Sequence, residues 1–343
     1  MIDGRAIMSG VVIAVLSVLG LALSPCAWAQ QPAKLPKVAI LSPRAPTTQA
    51  CGANMQVSYL PCFFDAMREL GYVDGKNVSF EVRYAEEDYR RLPALATELV
   101  RLRPDVILTA GTPGATAAAN ATTTIPIIVG PAGEEPLTRL AGNLAHPTGN
   151  VTGFTLDSVE QILKCLQFLK ELAPRASRVA LLLNPENPNF RDYPGTLVPA
   201  ATQLGLTLIT IEARSVSVLP QAFAAIAASG ANAIYFFDDG TLAGSTSVRK
   251  QVGEWALKQR LPVVSSNARF ASDGGLLSFG TDLHALQRRA AGYVDKVLKG
   301  TKPADLPVER PSVFKLSVNA KTAKALGLTI PQSLLQRADE VIQ

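Results

Sequence analysis

Residues 109–120, TAGTPGATAAAN, follow the apolar run DVIL and open an alanine-rich stretch. A strand that ends in small residues and turns directly into a helix presents free backbone N–H groups at the positive end of the helix dipole, a seat for an anion. The stretch can hold a phosphate, a carboxylate, or nothing beyond its own tight turn. A P-loop needs GxxxxGK[ST]; neither the lysine nor a second glycine stands at that spacing, and GxGxxG is also absent. Thr112 places a hydroxyl beside the amides, and Pro113 has no N–H to lose in a first helical turn. A carboxylate is therefore the expected ligand group, held around Gly111, Thr112 and Pro113. On this reading Thr112→Val weakens ligand binding and leaves folding almost unchanged.

Other chemistry is sparse. The two histidines are His146, in the turn AHPTGN, and His284, on a helix, and neither sits near a serine or cysteine in a nucleophile setting. No GxSxG elbow occurs, and no His/Cys spacing matches a zinc site. No enzyme, metal or cofactor is expected. The net charge of +5 is scattered. Without a clustered basic patch, nucleic acid is not an expected partner. Arg83, Glu86, Glu87 and Asp88 read as solvated surface.

The N-terminus places the chain. Arg5 precedes the 14-residue apolar run Val11–Ser24, and Ala27-Trp28-Ala29 has the small-x-small form of a cleavage site. Residues 1–29 read as a secretory signal peptide, too short to span a bilayer, and the mature chain is expected in the periplasm. In that oxidising compartment Cys51 and Cys62 are either bridged or separate, and Cys165, on the apolar side of a helix, reads as a buried thiol.

From Lys37 onward strands and helices alternate: VAILS, a helix ending at Gly71, NVSFEVRY, a helix over YRRLPALATELVRL, DVILTA, the alanine-rich helix and IPIIVG. A second series runs from RVALLLN through ANAIYFF to LPVVS. Such alternation means parallel strands joined by crossover helices, hence an α/β chain of two doubly wound lobes. TDLHALQRRAAGYVDKVLKG carries one apolar stripe at helical spacing (Leu283, Leu286, Ala290, Tyr293, Val294, Val297), with Thr281 as its cap and the first lobe as its seat. The tail reads as a strand and two short helices split by Pro331.

RLPALATELVRLRPDVILTAGTPGA, HPTGNVTGF, LLLNPENPN, GGLLSFGTDLHALQRRAAGYVDKVLKGTKPADLPVE and NAKTAKALGLTIPQSLLQRADEVI together resemble the ABC transporter substrate-binding proteins related to tryptophan- and tyrosine-binding lipoproteins. The likeness runs from about Lys37 to Ile342. It implies a type I periplasmic binding protein: two lobes joined by a hinge of three crossings, near Gly153, Gly280 and Pro311. Residues 30–152 plus 281–310 would form lobe 1, and 153–280 plus 311–343 lobe 2. It implies a small carboxylate-bearing ligand (an amino acid, in some members aromatic) in the interlobe cleft. The implied partners are an ABC permease and its ATPase, with the protein itself a monomer. The cleft positions carried over are Ser42, Gly111, Thr112, Pro113, Asn184 and Asp239. Where the family has an Asp-Pro step this chain has PAGEEP, which puts Glu135 at that position. A sensor subunit that presents its ligand to a receptor would share the frame, and so would an enzyme grafted on it.

Overall fold

The computed structural model describes residues 35–46, 51, 60–156, 159–190 and 193–343. The expected signal peptide lies outside them. Strands β1 (Lys37–Ser42), β2 (Ser79–Tyr84), β3 (Val106–Thr109), β4 (Ile127–Ala132) and β5 (Val151–Thr155) form a sheet in the order β2-β1-β3-β4-β5, every pair parallel. β3, β4 and all but the first residue of β1 are buried, which is why they read as unbroken apolar runs. Helices α2 (Leu92–Arg101), α3 (Gly111–Ala121) and α4 (Glu134–Ala141) cover one face, and α1 (Leu60–Glu69) lies on the other. Cys62 of α1 is disulfide-bonded to Cys51, whose Cα lies 4.7 Å away.

The second sheet has the order β12-β11-β10-β9-β8-β6-β7. Its strands are β6 (Arg178–Leu183), β7 (Thr207–Glu212), β8 (Ala233–Phe236), β9 (Val263–Ser265), β10 (Leu277–Thr281), β11 (Phe314–Asn319) and β12 (Glu340–Ile342). Helices α5 (Val159–Leu172) and α6 (Tyr193–Gln203) pack on one face, and α7 (Leu219–Ala228) and α8 (Thr246–Lys258) on the other. Cys165 is buried in α5, its thiol donating to the Ser265 carbonyl at 3.4 Å.

Helix α9 (Leu283–Leu298) follows β10 in the chain but packs on the first sheet. Leu286, Ala290, Tyr293, Val294 and Val297 of its stripe share a core with Phe63 and Met67 of α1. Its cap is Asp282 rather than Thr281: the Asp282 carboxylate accepts from the His284 and Ala285 amides. Residues 306–309 then run beside β5. The Glu309 amide donates to Gly153 O at 2.9 Å, and the Thr155 amide donates to Glu309 O at 2.9 Å. The chain thus passes between the sheets three times, after β5, between β10 and α9, and between Glu309 and β11.

Several elements differ from the sequence reading, among them β5, in the unassigned stretch NVTGF. β11 is antiparallel to β10, a strand that went unread because only five residues separate the Gly274-Gly275 turn from its end. β12 is a three-residue strand at the sheet edge inside what read as helix. The PAGEEP turn is the start of α4, where Pro136 sits in a first turn that needs no N–H from it.

The turn after β8 is held from behind by Arg249 of α8, which is 2% exposed. Its guanidinium pairs with Asp273 at 2.7 Å and donates to the Ala243 carbonyl at 2.5 Å and to Thr246 Oγ1 at 2.8 Å. Removing the carboxylate strands a buried cation, so Asp273→Ala should cost about 3–5 kcal/mol, read as a lower urea midpoint. Asp273→Asn, which keeps an acceptor, should cost less.

Candidate ligand cleft

The loops at the carboxyl ends of the two sheets meet. Tyr89, in a helical turn after β2, donates its hydroxyl to Asp239 Oδ2 at 3.1 Å, and Thr241 donates to the Glu87 carbonyl at 3.3 Å. Gly133 lies against Asn189 so closely that a Cβ there would overlap the asparagine carboxamide, and a Cβ on Gly244 would overlap the Arg44 guanidinium. In an open α/β sheet this carboxyl-end seam is where a ligand binds.

On the first sheet, Ser42 is buried at the end of β1 and its Oγ accepts from the Arg44 amide at 3.2 Å. Gly111 opens α3 at φ +74°, a backbone that suits glycine. Thr112 and Pro113 follow, both buried. Thr112 Oγ1 accepts from the Gly133 amide at 2.9 Å, which ties the start of α3 to the cap of α4. A hydroxyl has one proton and two lone pairs, so the Thr112 proton remains available for a carboxylate. Glu135 is not brought to this group: it is exposed and pairs with Arg139 on its own helix at 3.2 Å. Glu134 instead reaches Arg310 at the third crossing, at 2.6 Å.

On the second sheet, Asn184 and Asp239 are buried side by side, with Asn184 Nδ2 3.4 Å from Asp239 Oδ1. Both oxygens of Asp239 are already engaged by protein donors. Oδ1 also accepts from the Thr241 and Leu242 amides, and Oδ2 from Asn187 Nδ2 at 2.8 Å and from Tyr89. Asp239, expected at the cleft, therefore shapes its turn and bonds to Tyr89 from the facing side. Burial pushes the Tyr89 phenol well above its ordinary value, with the Asp239 charge adding to the effect, so Tyr89 stays a neutral donor.

The neighbouring Asp238 is the carboxylate with capacity to spare. Only Asn267 donates to it among the described residues, at 2.9 Å. Burial pushes the Asp238 carboxyl above its ordinary value and Asp239 pushes the same way, against the pull of Asn267, Arg44 and Arg249. Sequence reasoning missed Asp238, Arg44, Tyr89, Asn189 and Gln287. Gln287 did carry a signal: it stands four residues after Leu283 and three before Ala290, a polar residue on the core stripe of α9.

Five buried side-chain oxygens along the seam have no hydrogen-bond partner among the described residues: Thr155 Oγ1 and Thr281 Oγ1 at the first two crossings, Ser266 Oγ after β9, Asn189 Oδ1 against Gly133, and Gln287 Oε1, whose carboxamide nitrogen faces Gly130. An unsatisfied buried polar group costs about 1–3 kcal/mol, so native structures concentrate such groups only where something else completes them. No cluster of His, Cys, Asp and Glu among the described residues could hold a metal ion.

The family model described as ABC transporter substrate binding protein matches residues 57–342. The chain belongs to this family. It is 27% identical over 266 residues to a tyrosine-binding protein of Clostridioides difficile (strain R20291), covering 78% of this chain and 75% of that one. A solved structure of a conserved domain protein from Vibrio cholerae matches with a TM-score of 0.77 and 27% identity, over 90% of this chain and all of that one. The ABC domain in complex with L-Trp from Streptococcus pneumonia matches equally, at TM-score 0.77 and 27% identity over 90% of this chain and 100% of that one. No helix among the described residues is long and apolar enough to cross a membrane.

The Gly133–Thr112 bond corrects the expectation that Thr112→Val spares the fold. Valine leaves the buried Gly133 amide without an acceptor, at a cost of about 1–3 kcal/mol. Urea unfolding should show the loss in Thr112→Val and not in Thr112→Ser, which keeps the oxygen.

Proposed function

We propose that this substrate-binding protein is exported to the periplasm, captures a free amino acid with an aromatic side chain, and delivers it to an ABC permease and its ATPase. The observation that carries the reading is the row of unpartnered buried oxygens along the seam where the carboxyl ends of the two sheets meet. The N-terminus of α3, with Gly111, Thr112 and Pro113, is suited to the ligand carboxylate. Asp238, from the other sheet, is suited to its ammonium. The likeness to a tyrosine-binding protein and to a protein solved with L-Trp supports an aromatic side chain.

Residues 30–152 plus 281–310 would then move as one lobe against 153–280 plus 311–343, in hinge closure. The contacts of Tyr89 with Asp239, Thr241 with Glu87, and Gly133 with Asn189 belong to the closed form. Titration calorimetry should show saturable binding of L-tyrosine or L-tryptophan, and small-angle scattering a smaller radius of gyration when the ligand is added. Gly133→Leu, which fills the space Asn189 needs, should weaken binding and hold the radius at its ligand-free value. An unchanged radius in the saturated parent protein would count against closure.

The pH dependence has a definite sign. Only the ionised Asp238 pairs with an ammonium, so affinity is full above its pKa and falls as pH drops through it. Because burial raises that pKa above the ordinary 3.8, the fall should begin at a higher pH than a solvated aspartate would give. Asp238→Asn should bind more weakly at neutral pH and show a flatter profile; an unaltered profile would remove Asp238 from the site.

A further inference from the structure

We infer that Gln287 is a specificity-determining residue that accepts a hydrogen bond from a polar hydrogen on the ring of the ligand, a phenol O–H or an indole N–H. The inference rests on the aromatic amino-acid reading above and adds what selects among such ligands. Gln287 lies one turn into α9 and is 4% exposed. It lines a small pocket between the carboxyl ends of β1 and β3, about 40 Å³ in volume, whose apolar residues Ile40, Leu60 and Leu108 belong to the core on the α9 face of the sheet. That is room for roughly three water-sized groups, the end of a side chain rather than a whole amino acid.

The polar groups of this pocket are not equivalent. Thr109 Oγ1 donates to the Leu41 carbonyl at 3.0 Å, and Ser42 Oγ is within hydrogen-bond distance of both the amide and the carbonyl of Arg44. Gln287 Oε1 is buried and has no partner among the described residues. Gly130 makes the room for the carboxamide: a Cβ there would lie 2.8 Å from Gln287 Nε2 and 3.3 Å from Ala110 Cβ. The glutamine therefore stands beside the residue that caps α3, where the ligand carboxylate is proposed to sit. A ligand anchored there has its side chain within reach of the aliphatic walls, and the acceptor behind them answers a donor on the ring. An unfilled amide on a core stripe is costly, and methionine or leucine would pack there without that cost. Selection for a ring donor accounts for glutamine at this position.

Paired ligands test it on the full chain. L-tyrosine is compared with L-phenylalanine, and L-tryptophan with 1-methyl-L-tryptophan, each pair differing in the ring donor, by titration calorimetry. The tighter-binding member of {tyrosine, tryptophan} should exceed its donor-free partner by roughly 10- to 100-fold, the span expected when a buried acceptor is left unmet. Gln287→Met should abolish that ratio by weakening the donor-bearing ligand while hardly moving the donor-free one. Equal binding within both pairs by the parent protein overturns the inference, and that comparison needs no substitution to fold. A Gln287→Met protein that loses affinity for all four ligands alike also overturns it, since glutamine would then serve the common amino-acid group or the fold. If none of the four ligands binds the parent protein, the aromatic amino-acid reading itself fails and this inference falls with it.

Discussion

The meeting of the two sheets turns on one buried carboxylate. Asp239 has no exposed surface and accepts from five donors: two backbone amides of its own turn, Asn184, Asn187, and Tyr89 from the facing lobe. A buried charge with fewer donors would be expensive, so the turn 239–242 and the two asparagines must keep their places whether or not the lobes are together. Of these donors only Tyr89 comes from the side of the first sheet. On the proposed reading, water takes its position when the lobes part, so the exchange contributes little net free energy in either direction. Such a near-balance is what lets a ligand with modest differential affinity decide which form predominates.

Steric room is the companion constraint. Gly133 and Gly244 sit where the lobes touch, and at each a Cβ would strike a side chain of the facing lobe. The role of Gly133 is not backbone freedom, since its φ of −56° is open to any residue; it is the absence of a side chain. Behind the second lobe's half of the seam, Arg249 clamps the turn that follows Asp239 to α8 and Asp273. The seam is therefore built from turns that meet with little clearance, and shape as much as hydrogen bonding limits how the two sides meet.

The frame was legible because its central strands are buried on both faces and read as apolar runs, and because a helix with a clean stripe, α9, needs a core to pack on. What was hidden is telling. β10 and β12 are short, and their pairing depends on strands distant in sequence. The turn at Gly111–Pro113 could be recognised locally, since strand, glycine and helix start are contiguous. Tyr89 could not: it stands beside a run of charges that reads as solvent-facing, and its partner is 150 residues away. Of two adjacent aspartates after β8, sequence offers no means of telling which is consumed by its own turn. The structure separates them by their donors among the described residues, one for Asp238 and five for Asp239.

On the proposed reading, the two ends of an amino acid's head group are met by different lobes, the carboxylate by the start of α3 and the ammonium by Asp238. Each lobe alone offers half of a zwitterion's requirements, and each half is weak while water competes for it. Joining the lobes excludes that water and strengthens both contacts at once, because charge interactions gain as the local dielectric falls. The ligand's differential affinity for the closed form thus comes from its own charge pair rather than from any single strong contact. A molecule with the same ring but only one charged end would reach the apolar pocket and satisfy one lobe, yet leave either Asp238 without an ammonium or the α3 amides without an anion. Closure would then be opposed by the same desolvation that favours it for the zwitterion.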